Sequence, residues 1–136
     1  MIHLQKSDYF LMLYHACACL PEEACGLLAG RSAGDDAWVE KVYLLENADH
    51  SAEHFSISPA EQLEAIINMH ETGLELLGNW HSHPKTPSRP SAEDIRLALD
   101  PNASYLILSL AESMPDLRSF RIRCGKAERE DLRFEG

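Results

Sequence analysis

The sequence predicts an α/β chain of the α+β kind, a mixed β-sheet flanked by helices. Two observations lead to this class. Segments of helical and strand period succeed one another as helix, strands, helix, strand, helix, strands, an order that packs helices against a sheet. One late segment, SYLILSL at 104–110, is an almost uninterrupted apolar run, as a strand buried on both faces requires. At 136 residues the chain has the length of one ordinary domain, 1–136, and can bury a real core.

Ser7 and Asp8 are placed to cap a first helix through YFLMLYHACACL, with Tyr9, Phe10, Leu13 and Ala16 or Cys17 at helical spacing and Pro21 at its end. The run ACGLLAG, the polar turn RSAGDD and the strand-forming WVEKVYLLE predict a hairpin. After an irregular polar stretch from Asn47 to Ser58, Pro59 opens a second helix that carries Leu63, Ile66, Ile67 and His70 on one side and stops at Gly73. ELLGNWH is a strand leading into His81 and His83. PKTPSRP is loop, because its prolines suit neither helix nor sheet interior. SAEDIRLAL starts a third helix, halted by Asp100 and Pro101, and RSFRIRC and EREDLRF are final strands after 104–110.

Composition excludes several functions. Hydrophobic residues make up 45% and charged residues 25%, and no apolar run approaches the roughly 20 residues of a spanning helix. The start, MIHLQKSDYF, lacks the basic and apolar parts of a secretory signal, so a cytoplasmic location is expected. Twenty-two acidic against 12 basic residues give a net charge of −10, which repels nucleic acid and anionic membrane. Arg118, Arg121, Arg123, Lys126, Arg129 and Arg133 are interleaved with acids and form a solvated surface. Cys17, Cys19, Cys25 and Cys124 are expected as reduced thiols, the first two as small packing residues, since no second pair stands at zinc-finger spacing.

The chemistry is concentrated after residue 80. Side chains two apart on a strand share a face, so His81 and His83 aim two imidazoles at one point while Ser82 faces away. Asp94 follows across the proline-rich loop, in the first turn of the next helix, where its carboxylate can return to that point as a third ligand. Two histidines and one aspartate leave a tetrahedral position open, which a catalytic zinc requires. Each part also has an ordinary reading. Ser91 and Asp94 fit a helix capping box, and an isolated HxH is more often a plain strand feature.

In combination, His81-Ser82-His83, seven residues, Ser91, two residues and Asp94 resemble the signature of the JAMM metalloproteases, also called MPN-plus or Mov34-type domains. Upstream, Pro21-Glu22-Glu23-Ala24-Cys25-Gly26-Leu27-Leu28 resembles the segment that holds the family's glutamate, with Glu23 in the catalytic place and Glu22 as the neighbouring alternative. The resemblance runs from the first helix to the strand at 104–110; from Arg118 onward no motif matches. It implies an MPN/JAB-like fold, similar to the cytidine deaminase-like architecture, of the compact prokaryotic type.

The resemblance also implies roles: one Zn²⁺ per chain on His81, His83 and Asp94, Glu23 as general base and then acid, and Ser91 as the hydroxyl that stabilises an oxyanion. The implied activity is a zinc-dependent peptidase or isopeptidase. Its implied partner is a ubiquitin-like or sulfur-carrier protein, cut after a C-terminal Gly-Gly tail that could be bound as an added strand. The alternative is a non-catalytic MPN-type protein-binding scaffold. A zinc deaminase would need H-x-E followed by P-C-x-x-C, and the chain has neither. Around the site, Trp80 points away from His81 into the core, Cys25 is a buried thiol, and His50 and His54 lie exposed in the polar loop. His3, His15 and His70 have no partner at ligand spacing.

Overall fold

The first strand, β1 (Ile2–Gln5), runs directly into α1 (Lys6–Cys19) in the computed structural model, which describes residues 1–136. Gln5 is the residue that precedes the helix and no side chain caps it, so Ser7 and Asp8 lie inside the first turn rather than before it. Ile2 and Leu4 alternate with His3 and Gln5 and are buried, an alternation of only four residues that passes without a turn into α1 and displaces the expected helix start. A hairpin follows, β2 (Cys25–Ala33) and β3 (Asp36–Leu45), turning at Gly34, whose φ of 63° suits a residue without a Cβ. Ser58 caps α2 (Pro59–Glu71) by accepting the Glu61 N–H at 3.1 Å, with Pro59 at the first helical position.

The remaining elements are β4 (Glu75–His83), α3 (Ala92–Leu97), β5 (Ser104–Ser109), β6 (Asp116–Arg123), β7 (Lys126–Glu130) and β8 (Leu132–Glu135). All eight strands form one sheet in the order β7-β6-β5-β4-β2-β3-β1-β8. The stretch EREDLRF is therefore two strands, separated at Asp131. Because β7 and β8 adjoin in sequence yet lie at opposite edges, the sheet curls until its two edges meet at that residue. The Ile2 N–H donates to the Asp131 carbonyl at 2.9 Å at this seam.

Inside the curl, Met12 and Ala16 of α1 pack with Ile2, Leu28, Trp80, Leu106 and Leu108. Cys17 is exposed and Cys19 half-buried, so only the latter joins this packing, a correction to the expectation for the pair. The helix turns Tyr9, Leu13, Ala16 and Cys19 inward, which leaves Cys17 and Phe10 on the solvent side. On the opposite face, α2 packs through Ala65 and Met69 against Leu27 and Ala29. Its Leu63, Ile66, Ile67 and His70 side faces solvent, because the small Ala65 lets the helix lie close to the hairpin. Next to α2, Ile95 and Ala98 around α3 cover Ile107, Phe120 and Ile122 of β5 and β6.

β4 lies between β2, antiparallel to it, and β5, parallel to it. Both its edges are occupied, so β4 itself offers no free edge to a further strand. No helix is long and apolar enough to cross a membrane.

Candidate active site

β4 carries His81 and His83 at its carboxyl end, beside the end of the parallel β5, where loops open above the sheet. Both imidazoles are nearly buried, at 3% and 5% exposure, on the face that α2 and α3 cover. Ser82 points the other way and is fully buried, and so is Trp80, whose indole N–H donates to the Tyr43 carbonyl at 3.1 Å. The strand alternation places all four residues as the sequence expects.

Ser91 and Asp94 form a complete capping box on α3: Ser91 Oγ accepts the Asp94 N–H at 3.0 Å, and Asp94 Oδ2 accepts the Ser91 N–H at 2.9 Å. The cap fixes the Asp94 carboxylate so that Oδ2 also stands 3.2 Å from His81 Nε2 and 3.3 Å from His83 Nε2, while the two Nε2 atoms are 3.1 Å apart. The capping geometry therefore leaves the Asp94 carboxylate facing both imidazoles. The Ser91 oxygen accepts through a lone pair, which leaves its hydroxyl proton free to donate elsewhere.

These three donor atoms form a triangle whose sides suit a metal ion. Corners of a tetrahedron with bonds of ~2.0–2.1 Å lie about 3.3 Å apart, close to the spacings found. His81, His83 and Asp94 are the one group of potential metal ligands that the fold draws together. His83 has its tautomer set, since Nδ1–H donates to the Pro87 carbonyl at 2.8 Å and leaves the Nε2 lone pair facing the triangle. His81 differs: its Nδ1 is buried without a hydrogen-bonding partner.

Electrostatics follow from burial and pairing. Burial opposes ionisation of Asp94, but the hydrogen bonds from both histidines outweigh it and hold the carboxyl far below its ordinary range. Burial pushes His81 down, and Asp94 only partly offsets this. At His83 burial acts the same way but Asp94 and the Pro87 carbonyl outweigh it, so His83 is raised. One of the facing imidazoles thus takes up a proton more readily than the other.

Glu23 comes to the site from the segment before β2. It is 3% exposed and one of its carboxyl oxygens, Oε1, has no hydrogen-bonding partner. Burial pushes its pKa up to about 8, against the lowering effect of His83 and with Asp94, Glu93 and Glu53 adding to the rise. Glu22, the neighbouring alternative, points outward to His50 at 3.0 Å, with a half-exposed carboxylate. Cys25 is fully buried and its thiol is pushed up to about 12 by burial and nearby acids, which makes it inert as a nucleophile.

Two residues at the site, Asn47 and Phe55, and the bonding role of Ser82 escaped the sequence reading. Ser82 Oγ accepts the Ala24 N–H at 2.8 Å and so ties the histidine strand to the Glu23 segment. Asn47, buried, donates from Nδ2 to the Glu23 carbonyl at 3.1 Å and to the His54 carbonyl at 3.0 Å. Phe55 stacks on the His81 ring, with centroids 4.7 Å apart and planes 25° from parallel. The local signal for Asn47 was an Asx turn, its Oδ1 accepting the Asp49 N–H; nothing local pointed to Phe55.

Known proteins repeat this fold. A protein of Desulfitobacterium hafniense, solved in solution, superposes with a TM-score of 0.92 and 54% identity over 99% of this chain and 93% of that one. A JAB1/MPN domain protein of Archaeoglobus fulgidus shares the fold at a TM-score of 0.62 and 20% identity, covering 97% of each chain. The CysO-cysteine peptidase of Mycobacterium tuberculosis is 33% identical over 122 residues, 89% of this chain and 82% of that protein. Residues 6–123, which include the glutamate segment, the histidine strand and α3, match the family of prokaryotic homologues of the JAB domain. On the strength of that match and the shared fold, the chain belongs to the prokaryotic JAB-domain family.

Proposed function

We propose that this protein is a zinc-dependent peptidase or isopeptidase that cuts an amide bond after the C-terminal Gly-Gly tail of a ubiquitin-like or sulfur-carrier protein. The donor triangle of His81, His83 and Asp94, built to the dimensions of a tetrahedral zinc and backed by a buried, unpaired Glu23 oxygen, carries the reading. The relative named CysO-cysteine peptidase supports a protein conjugate as the substrate class. Bound on the triangle, zinc supplies Lewis acidity and a water acidified to ~7.

The chain's own groups do the rest. Glu23 Oε1, free of other partners, takes a proton from the attacking water and returns it to the leaving amine. Its raised pKa suits the return of the proton to the amine, and a dication held by the triangle would lower the value toward neutral, as the first, proton-accepting half requires. Ser91 donates its unused hydroxyl proton to the oxygen that becomes negative as the carbonyl is attacked. The histidines and Glu23 are all 5% exposed or less, so the scissile bond has to reach inward on a slim chain, which glycines permit. With both edges of β4 paired, the tail is gripped by the loops above the sheet. An intact donor set with an adjacent buried base favours catalysis over a scaffold role.

The test is cleavage of a carrier protein extended beyond Gly-Gly by the zinc-loaded chain. Glu23→Gln should retain zinc and lose about 10²–10⁴-fold in kcat. Equal cleavage by wild type and Glu23→Gln would refute the assignment.

A further inference from the structure

His81 and His83 are asymmetric in what holds them. A metal-bound imidazole usually donates its other N–H to a carbonyl or carboxylate, which fixes the ring plane. His83 does so through Pro87, whereas His81 Nδ1 has no protein acceptor. The contact that could set its plane is Phe55, stacked on the ring.

Phe55 in turn is held by its loop. Asn47 binds both ends of the segment: Nδ2 donates to the carbonyls of Ser51 at 3.3 Å and His54 at 3.0 Å, and Oδ1 accepts from the N–H groups of Asp49 at 3.0 Å and Ser56 at 3.3 Å. Ala48 and Ser56 close the loop through a backbone bond of 2.9 Å. The same loop reaches Glu23 twice: the Ser51 carbonyl accepts the Glu23 N–H at 2.8 Å, and Asn47 Nδ2 donates to the Glu23 carbonyl. One loop therefore touches both halves of the site.

We infer that Phe55, seated by the Asn47-centred loop, is a positioning residue that orients His81 for metal binding in place of the missing hydrogen bond. This rests on the metal site proposed above but not on the substrate or the reaction. A stacked face fixes the tilt of an imidazole while leaving Nε2 free to face Asp94, and it does so without an acceptor that would compete for the proton.

Metal affinity tests it directly. The chelator-stripped full chain is titrated with Co²⁺ and followed by its visible ligand-field absorption. Phe55→Leu, which keeps apolar bulk but loses the flat face, should weaken binding by about 10-fold or more and alter the band shape. Phe55→Tyr should restore both, and Asn47→Asp, which loses the Nδ2 donors, should fall between. Wild-type affinity and spectrum in Phe55→Leu, or an equal loss in Phe55→Tyr, overturns the role. Near-ultraviolet circular dichroism of Trp38 and Trp80 verifies folding. Should Phe55→Leu fail to fold, proton NMR of the wild type decides: His81 ring signals shifted upfield by Phe55 support the role, and unshifted signals overturn it. A wild type that binds no Co²⁺ overturns the metal site and this role together. Binding that behaves as expected in a chain that cleaves no carrier leaves Phe55 in place and removes only the peptidase reading.

Discussion

At Glu23 the cost of an unpaired buried carboxyl has a measurable pH signature in the metal-free chain. Its pKa stands near 8 folded against an ordinary 4.5, so the unfolded chain ionises first and folding loses stability as pH rises between those values. Glu23→Gln removes the penalty. Urea unfolding should find the variant more stable than wild type by roughly 2 kcal/mol or more at pH 8, with the difference vanishing near pH 4. Ser82 offers a complementary case, since Ser82→Ala would strand the buried Ala24 N–H. A loss of about 1–3 kcal/mol is expected in the same assay. The clustering of His81, His83 and Asp94 was legible because strand alternation and helix capping act over two to four residues. Ser82, Asn47 and Phe55 were not, because their partners lie 58, 24 and 26 residues away in the chain.

Among the elements, β2 has no room for added bulk at Gly26. A Cβ on Gly26 would stand 1.7 Å from the Tyr43 carbonyl oxygen and 2.4 Å from Trp80 Nε1, so both neighbouring strands resist it at once. Gly26→Ala should destabilise by about 3 kcal/mol or more, read as a fall in melting temperature. Gly34→Ala is a useful contrast, because its cost comes from backbone conformation alone: nothing stands within 4 Å of the added atom. The hairpin, α2 and β4 follow from turn residues, Pro59 and apolar runs. The buried side of α2 does not, since Ala65 and Met69 are weaker markers than the exposed Leu63, Ile66 and Ile67 beside them. Likewise, Asp131 gave no local sign that it breaks one apparent strand into two that serve opposite edges.

For the whole molecule, the closing segment matters more than its length suggests. Removing residues 126–136 would bare the long edge of β6 and the outer edge of β1 together. Such a truncation should associate through the exposed strands, and light scattering during size-exclusion chromatography would detect it; a monodisperse monomer would contradict the expectation. The mixed sheet and its flanking helices were legible from the order of elements, whereas its curling depended on a pairing of the first strand with the last. The seam has a consequence for how the molecule loosens. Four residues of β8 fasten it to β1, while the histidine strand stands three places from one edge and four from the other. Small openings at the seam would let the amides of residues 132–135 trade protons with solvent long before those of 106–108, so the fold can breathe at its closure without His81, His83 and Asp94 parting.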